Sequence, residues 1–339
     1  MAEDVEIDGS RGEGGGQILR TSLALSIITQ RPLRMTRIRA GRARPGLQRQ
    51  HLACVEAAAR LCSAQTHGAE LGSQTLEFVP SIGYADHVTI DIGSAGSTTL
   101  VVQTILVPAI AASVPLRATI IGGTHNPLAP PFEFLERVFV PQLRAMGADV
   151  TLTLVKHGVM PKGGGEVQLE TAGKTQLRRL ELTKAGEIGS RRATVILARI
   201  PTHVADRELA VVRERLGKVE SEIRDLRGGP ANVLMVEIDR GTARELVTEH
   251  GEKGTRAELV ATRACDDIER YLASGAPVGE HLADQLLLPM AVAGAGRFRT
   301  LAPLSLHATT NIATIGAFLD VPIRVEPAAT TVDVIVGQG

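Results

Sequence analysis

For its first 180 residues the chain alternates between short segments with the two-residue period of strands and longer segments with the helical period. The strand segments are VEIDGS, LRMTRIRAG, TLEFVP, HVTIDIG and LRATIIGGT. The helical segments are QILRTSLALSIIT, PGLQRQHLACVEAAARLC, GSTTLVVQTILVPAIAAS and PPFEFLERVFVPQLRAMG. The order is strand, helix, strand, helix and then paired strands, which predicts an α+β fold with helices packed on one face of mixed sheets.

Two further patterns bear on domain organisation. The motif GEGGGQ at 12–17 is echoed by PKGGGEVQL at 161–169, which indicates repeated units that share a topology. Residues 183–275 are richer in both charge signs and contain their own strand segments, RATVILARI and NVLMVEID. We therefore expect 183–275 to be a small inserted domain, and 1–182 with 276–339 to form the large domain.

The C-terminal part returns to the earlier pattern. The hinge ASGAPVGE leads into a buried helix, HLADQLLLPMAVAGA, and then a strand, RFRTLAP. A turn carrying His307, a helix and two strands follow. At the start of that helix an imidazole would lie near the positive end of the helix dipole, which favours its neutral, nucleophilic form. A packed or surface histidine is the alternative that the sequence leaves open.

Arginine is concentrated near the N-terminus. The chain is neutral overall, yet no acidic residue lies between Glu13 and Glu56, and the same stretch holds eight of its 31 arginines. The planar guanidinium suits phosphate recognition. This stretch indicates a local anion site, and a solvated basic face is the alternative.

Composition excludes several classes of protein. No apolar run is long enough to span a bilayer, the acidic start MAEDVEID is not a signal peptide, and TILVPAIAASVPL is too short and proline-rich to be more than a buried helix. Three cysteines without paired spacing fit a reducing cytoplasm. Aromatic residues make up only 2%, which argues against a base-stacking platform for single strands.

Three consecutive glycines, Gly14, Gly15 and Gly16, lie between Glu13 and the pair Gln17 and Arg20. A glycine run before a helix lets backbone amides approach a phosphate, and we expect it to clear room for one. A lone carboxylate beside cations makes sense as a ligand for Mg²⁺ shared with phosphate oxygens. A plain tight turn with an exposed Glu13 is the alternative. The sequence has neither a Walker lysine nor dinucleotide-fingerprint spacing.

The remaining motifs are weaker. IGSAGSTTL at 92–100 is a glycine and hydroxyl turn at a helix start, where capping explains the hydroxyls and phosphate binding is the alternative. GGTHNPLAPPFEF at 122–134 is a proline-stiffened loop that would form a wall beside a flat ligand or a plain connection. The nine histidines show no metal-ligand spacing along the chain, and His125 receives no role.

Several motifs in order resemble the RNA 3′-terminal phosphate cyclase family and extend over nearly the whole chain outside 183–275: RGEGGGQILR, RAGRARPGLQRQHL, GSAGSTTLVVQT, GGTHNPLAPP, PKGGGEV, GEHLADQLLLPMA and LHATTN. The resemblance implies three repeated units, each of two helices on a four-stranded sheet, and a small inserted αβ domain. It also implies an enzyme that uses ATP and Mg²⁺ or Mn²⁺ to convert an RNA 3′-phosphate end to a 2′,3′-cyclic phosphodiester. The implied steps are a covalent histidinyl-AMP, transfer of AMP to the RNA 3′-phosphate, and displacement of AMP by the 2′-hydroxyl.

The resemblance carries roles to individual positions. His307 matches the nucleophile and Glu13 the metal-binding acid. The residues implied to hold ATP or RNA phosphates are Arg20, Arg39 and Arg42, with Gln50 in the same pocket. Those implied near the nucleotide are Gln103, Pro130, His281, Asp284 and Gln285, together with Gly14, Gly15, Gly16 and Gln17. Of these, Asp284 is expected to read the adenine amino group, and Pro130 to pack on the base.

One departure concerns the base. His281 stands where relatives have an aromatic residue that stacks on adenine, which weakens the expectation of adenine specificity. The main alternative function is a non-catalytic RNA-binding branch that serves in ribosome assembly. That branch lacks the catalytic histidine, so His307, Glu13 and Arg20 together disfavour it. An enolpyruvyl transferase that shares only the fold is a further alternative, and the pocket motifs disfavour it.

Overall fold

A computed structural model describes residues 3–173 and 176–338. The first unit is a four-stranded sheet with two helices on one face. Its elements in chain order are β1 (Val5–Asp8), α1 (Gly16–Thr29), β2 (Leu33–Thr36), α2 (Arg49–Cys62), β3 (Gln65–His67) and β4 (Leu76–Val79). The strand order is β1-β2-β4-β3, with β1 and β2 parallel and the other neighbours antiparallel.

Strand β2 is shorter than predicted from LRMTRIRAG. It ends at Thr36 because Arg37 and Arg39 have φ angles of 49° and 52°, in the left-handed region that a strand cannot contain. Arg37 turns back to pair with Asp8. Arg37, Arg39, Arg42 and Arg44 therefore lie in a loop of turns and bends between β2 and α2.

The second unit repeats the first. Its elements are β5 (His87–Asp91), α3 (Thr98–Ala111), β6 (Pro115–Gly122), a helix α4, β7 (Val150–Lys156) and β8 (Gly165–Ala172), with strand order β5-β6-β8-β7. Helix α4 was predicted as one regular helix but has three segments, Phe132–Phe134, a π-helical turn Leu135–Phe139 and Val140–Ala145. The wider turn precedes Pro141, whose ring would clash with the carbonyl four residues earlier in a regular α-helix.

A short strand, β9 (Glu181–Leu182), opens the third unit and is followed by a fourth sheet with its own helices. That fourth unit contains β10 (Ser190–Ala198), α5 (His203–Leu216), β11 (Glu220–Leu226), β12 (Ala231–Asp239), β13 (Arg244–His250) and α6 (Ala257–Ser274). Its strand order is β11-β10-β12-β13, and it has a separate hydrophobic core. The resemblance implied an αβ insertion, but the positions of its helices α5 and α6 were not predicted from the sequence. The boundaries at 183 and 275 stay predictions.

The third unit resumes after this insertion with α7 (Glu280–Ala293), β14 (Gly296–Leu301), α8 (Leu306–Phe318), β15 (Ile323–Pro327) and β16 (Thr331–Val336). The strand order β9-β14-β16-β15 matches that of the first two units. The repeated topology confirms the predicted α+β class, and one hydrophobic core extends through all three units.

Strands such as β4 and β5 bury every second side chain, because the helices cover only one face of each sheet. None of the helices in the described ranges is long and apolar enough to cross a membrane. The three cysteines are free and buried.

Candidate active site

A cavity of about 610 Å³ lies where the three repeated units meet the fourth. It is lined from the first unit by the glycine loop and arginines, from the second by α3 and the proline-rich loop, and from the third by α7 and the start of α8. The predicted site residues that line it are Glu13, Gly15, Gly16, Gln17, Arg20, Arg39, Arg42, Gln50, Gln103, Pro130, His281, Asp284, Gln285 and His307.

Of the predicted set, Gly14 alone does not line this cavity. Its φ of 61° places it in the left-handed region, and its N–H donates to the Arg11 carbonyl at 3.0 Å. Gly14 therefore shapes the turn that presents the next two glycines, a geometry that a side chain would strain.

The space beside Gly15 and Gly16 is filled by the chain's own side chains. A Cβ at Gly15 would lie 2.3 Å from a Glu13 carboxylate oxygen, and one at Gly16 would lie 2.7 Å from His51 Nε2 and 3.0 Å from an Arg20 nitrogen. The glycines therefore admit a carboxylate, an imidazole and a guanidinium beside the first turn of α1. The expectation that they also clear room for a phosphate stays a prediction.

Glu13 is held by contacts to α8 of the third unit and to Arg42 of the first unit. Its backbone N–H donates to Thr310 Oγ1 of α8 at 2.9 Å, and Arg42 donates to its carbonyl at 2.9 Å and to Oε1. Its other carboxylate oxygen, Oε2, is buried and has no hydrogen-bond partner in the part of the chain that the structure describes. A negatively charged atom without a donor favours a cation beside it.

His307 is the second residue of α8 and lies two positions after the N-cap residue, Ser305. Its Nδ1 lies 2.8 Å from Gln17 Oε1, and Gln17 Nε2 donates to Asp284 Oδ1. An amide oxygen only accepts hydrogen bonds, so the histidine donates from Nδ1. When the imidazole carries a single proton, that proton is therefore on Nδ1, and Nε2 keeps a free lone pair.

Asp284 anchors this chain of hydrogen bonds. Asn311 Nδ2 donates at 3.0 Å to both Asp284 Oδ1 and the Asp284 carbonyl. Burial raises the pKa of the Asp284 carboxyl, and the neighbouring His307, Asn311 and Gln17 oppose that rise. Asp284 Oδ1 thus accepts from both Gln17 and Asn311, and the expectation that Asp284 reads the adenine amino group stays a prediction.

The arginines surround the start of α1. Burial lowers the pKa of the Arg20 guanidinium, with Asp284 and Glu13 opposing that change. Burial also lowers the pKa of His51 to about 3, and the charges of Arg39 and Arg20 act in the same direction. His51 is therefore neutral near pH 7, and the positive charge at this end of the cavity comes from the arginines.

The part of the cavity that Leu128, Ala129, Pro130 and Phe134 line is apolar. Pro130 is fixed because Thr99 Oγ1 donates to its carbonyl at 2.8 Å, and the His281 ring meets Phe134 edge to face with centroids 6.5 Å apart. Gln285 Oε1 is buried without a hydrogen-bond partner among the described residues. An apolar wall with a few polar groups beside it suits a flat, partly polar ligand.

The fourth unit adds wall residues that the sequence did not indicate. Leu246, Thr248 and His250 of β13 line the same cavity. Burial lowers the pKa of His250 to about 4, so it is neutral near pH 7. Alternation along one strand placed these three side chains on one face, but nothing in the sequence indicated what that face meets.

We expect Gly16→Ala to reduce activity about 10- to 100-fold, because the new methyl group would displace His51 and Arg20 from the start of α1. Gly316→Ala is the matched control. It lies in α8 with open space around its Cα, and the change should stabilise the helix by about 0.5–1 kcal/mol without affecting activity. Turnover and thermal unfolding of both variants test this. Full activity of Gly16→Ala would contradict the packing role.

Comparison with known proteins bears on this site directly. The family model described as RNA 3′-terminal phosphate cyclase matches residues 11–325. The chain belongs to the RNA 3′-terminal phosphate cyclase family. The RNA 3′-terminal phosphate cyclase of Ectopseudomonas mendocina (strain ymp) is 49% identical over 323 residues, covering 94% of each chain. That of Salmonella paratyphi C (strain RKS4594) is 46% identical over 340 residues, covering 100% of this chain and 98% of the relative.

Membership of the family confirms the resemblance read from the sequence motifs. The match extends through the insertion as well as the three repeated units. The relatives' full-length coverage also means that no large segment of this chain lies outside the comparison.

Proposed function

We propose that this chain converts an RNA 3′-terminal phosphate to a 2′,3′-cyclic phosphodiester at the expense of ATP, through a covalent adenylate on His307. The observation that carries the proposal is the hydrogen-bond chain from His307 through Gln17 to Asp284 at the edge of an arginine-lined cavity. Family membership supports the overall reaction, and the geometry supports the assignment of residues.

The nucleophile in this proposal is His307 Nε2. Its lone pair attacks the α-phosphorus of ATP, a phosphorus–nitrogen bond forms, and pyrophosphate leaves with the electron pair of the broken bond. Nδ1–H continues to donate a hydrogen bond to Gln17 Oε1, which stabilises the positive charge that develops on the ring. AMP then passes to the RNA 3′-phosphate, and the adjacent 2′-hydroxyl displaces AMP as the ring closes.

The phosphates of both substrates would lie at the start of α1. Gly15 caps that helix without a side-chain hydrogen bond, so backbone amides of the first turn remain available to an anion. Arg20, Arg39 and Arg42 line the same region. Preorganised donors of this kind stabilise negative charge that grows on a departing phosphate.

A divalent metal ion fits beside Glu13. The buried, unpartnered Oε2 of Glu13 is the kind of hard oxygen ligand that Mg²⁺ or Mn²⁺ prefers. When bound there with phosphate oxygens, such an ion would neutralise charge on the triphosphate. Arg42 holds the other oxygen of the same carboxylate and so fixes its direction.

The base of ATP would lie at the apolar end, between Pro130 and His281, with Phe134 at its edge. Gln103, Gln285 and Gln50 are then the polar groups near the nucleotide and phosphates. Since Gln50 Oε1 already accepts from the Ser97 N–H at 2.9 Å, only its amide nitrogen is available to a ligand. In this proposal Asp284 positions Gln17 through Oδ1.

The proposal also includes the domain boundaries and the cellular location of the protein. We propose an inserted domain at 183–275 within a large domain of 1–182 and 276–339, because the fourth sheet interrupts the third unit between β9 and α7. Three free, buried cysteines support a cytoplasmic location.

The experiment that tests the activity uses an RNA oligonucleotide with a 3′-phosphate. With ATP and Mg²⁺, the purified chain should render the terminal phosphate resistant to phosphatase, and acid treatment should restore sensitivity. Binding of the RNA without any ATP-dependent change of its end would favour the alternative, a non-catalytic RNA-binding member of the superfamily.

Glu13→Gln keeps the shape of the side chain but removes the charge that a metal ion needs. We expect the Mg²⁺ concentration for half-maximal rate to rise at least about 10-fold, with the saturated rate lowered about 100-fold. Glu6→Gln, at an exposed position of β1, is the control and should match the unmodified chain. An unchanged Mg²⁺ dependence in Glu13→Gln would exclude a metal at this carboxylate.

A further inference from the structure

A second group of polar side chains lies outside the cavity and has no part in the proposed reaction. His125, Glu133 and His157 each offer one possible ligand atom, and these atoms all lie within 4.8 Å of one another. The side chains of His125 and Glu133 are 0% and 2% exposed. Since the three residues are 8 and 24 positions apart, their sequence spacing gave no sign of the group.

The surrounding hydrogen bonds turn the remaining atoms of these side chains away from the centre. Thr124 Oγ1 lies 2.8 Å from His125 Nδ1, and Arg224 of β11 donates to Glu133 Oε1 at 2.7 Å. Thr124 Oγ1 also accepts from the Gly158 N–H at 3.0 Å and faces the Gly158 carbonyl. This leaves His125 Nε2 and Glu133 Oε2 facing each other at 2.7 Å.

The third side chain has an unsatisfied atom. His157 Nε2 is buried and has no hydrogen-bond partner in the described ranges. The His157 and His125 rings are nearly parallel, at 15°, with centroids 5.5 Å apart. Two imidazoles bonded to one tetrahedral ion through nitrogens at about 2.0–2.1 Å would have a similar separation.

We propose that His125, Glu133 and His157 bind a divalent cation of the zinc or cobalt class. Two imidazoles and one carboxylate are a donor set typical of Zn²⁺, whereas Mg²⁺ prefers oxygen ligands alone. Thr124 and Arg224 are the outer partners that orient the two buried ligands, as such partners do in known zinc sites. A water molecule would complete a tetrahedral arrangement.

Binding of the ion replaces one hydrogen bond by three metal–ligand bonds. Bonds form from the ion to His125 Nε2, Glu133 Oε2 and His157 Nε2, and the hydrogen bond between His125 and Glu133 breaks. The proton of that hydrogen bond leaves to solvent, and no electron is transferred. Because Arg224 remains paired with Glu133 Oε1, the carboxylate binds the ion through one oxygen.

The site would fix a wall of the cavity. His125 and Glu133 flank the loop that carries Pro130, and His157 follows β7 in the second unit. An ion shared by the three would hold this loop against the connection between β7 and β8, beside Arg224 of the fourth unit. The proposal concerns structure and does not depend on the proposed cyclase activity.

The test is titration of the full chain with Co²⁺, carried out in Glu13→Gln to remove the other metal site. We expect one Co²⁺ per chain with strong visible absorption of a tetrahedral complex, displaced by Zn²⁺. His157→Asn should weaken binding at least about 100-fold. His87→Asn, at an exposed histidine on β5, should leave binding unchanged.

A crystal soaked in Zn²⁺ gives a readout that needs no variant. Anomalous density at the zinc edge between the three side chains would support the site. Absence of tetrahedral Co²⁺ absorption together with absence of that density would overturn the proposal, and so would absorption that His157→Asn leaves unchanged. The group would then be a buried ion pair of His125, Glu133 and Arg224.

Discussion

Replacing His307 by alanine should abolish RNA cyclisation, with a loss of about 10⁴-fold or more, because the proposed reaction has no other nucleophile for the α-phosphorus of ATP. Binding of ATP should persist, since Arg20, Arg39, Arg42 and the first turn of α1 are unchanged. Cyclisation assays with 3′-phosphate RNA, and ATP binding measured by calorimetry, separate these two effects.

A matched control is His67→Ala, at an exposed histidine on β3. It should retain the rate of the unmodified chain. Substantial cyclisation by His307→Ala would mean that ATP activates the RNA phosphate without the enzyme–adenylate intermediate, and the assignment of His307 would be wrong.

The second large effect is expected at Gln17. Gln17→Leu keeps a similar volume but removes the oxygen that accepts from His307 Nδ1. The imidazole would then lose its fixed orientation and populate both tautomers, and a proton on Nε2 blocks attack. We expect the rate of adenylate formation to fall about 10²- to 10³-fold, by analogy with a misoriented catalytic histidine in serine proteases.

Nitrogen chemical shifts of the His307 ring test this cause directly, because protonated and bare ring nitrogens differ strongly in shift. The unmodified chain should show the proton on Nδ1, and Gln17→Leu should show a mixture. Ser22→Ala on the same helix is the control, since the Ser22 hydroxyl is buried without a described partner. A fully retained Nδ1–H tautomer in Gln17→Leu would contradict the proposed role.

Much of the fold could be predicted because it rests on local patterns. Alternating apolar and polar residues predicted most strands of the three units, and apolar residues at the helical period predicted most of their helices. The predictions that differed were set by longer-range geometry or by a single residue. Arg37 and Arg39 have φ angles in the left-handed region, which ends β2 early. Pro141 is the reason for the wider turn in α4.

The candidate site could likewise be predicted only in part. Sequence motifs indicated which residues meet at the cavity, but not which atoms face a ligand. Gln17 and His307 are separated by 290 positions, so their hydrogen bond becomes visible only when α1 and α8 pack together. The contribution of β13 could not be predicted, because its alternation is the same whether the strand faces solvent or a neighbouring unit.

The central claim is the covalent adenylate on His307, and ATP labelled at the α-phosphate tests it most directly. The chain is incubated with labelled ATP and Mg²⁺, denatured, and analysed for bound label, released pyrophosphate and the labelled peptide. We predict up to one AMP per chain, labile in acid, attached to the peptide that contains His307. A folded, ATP-binding chain that acquires no label, or carries it on another residue, would contradict the account.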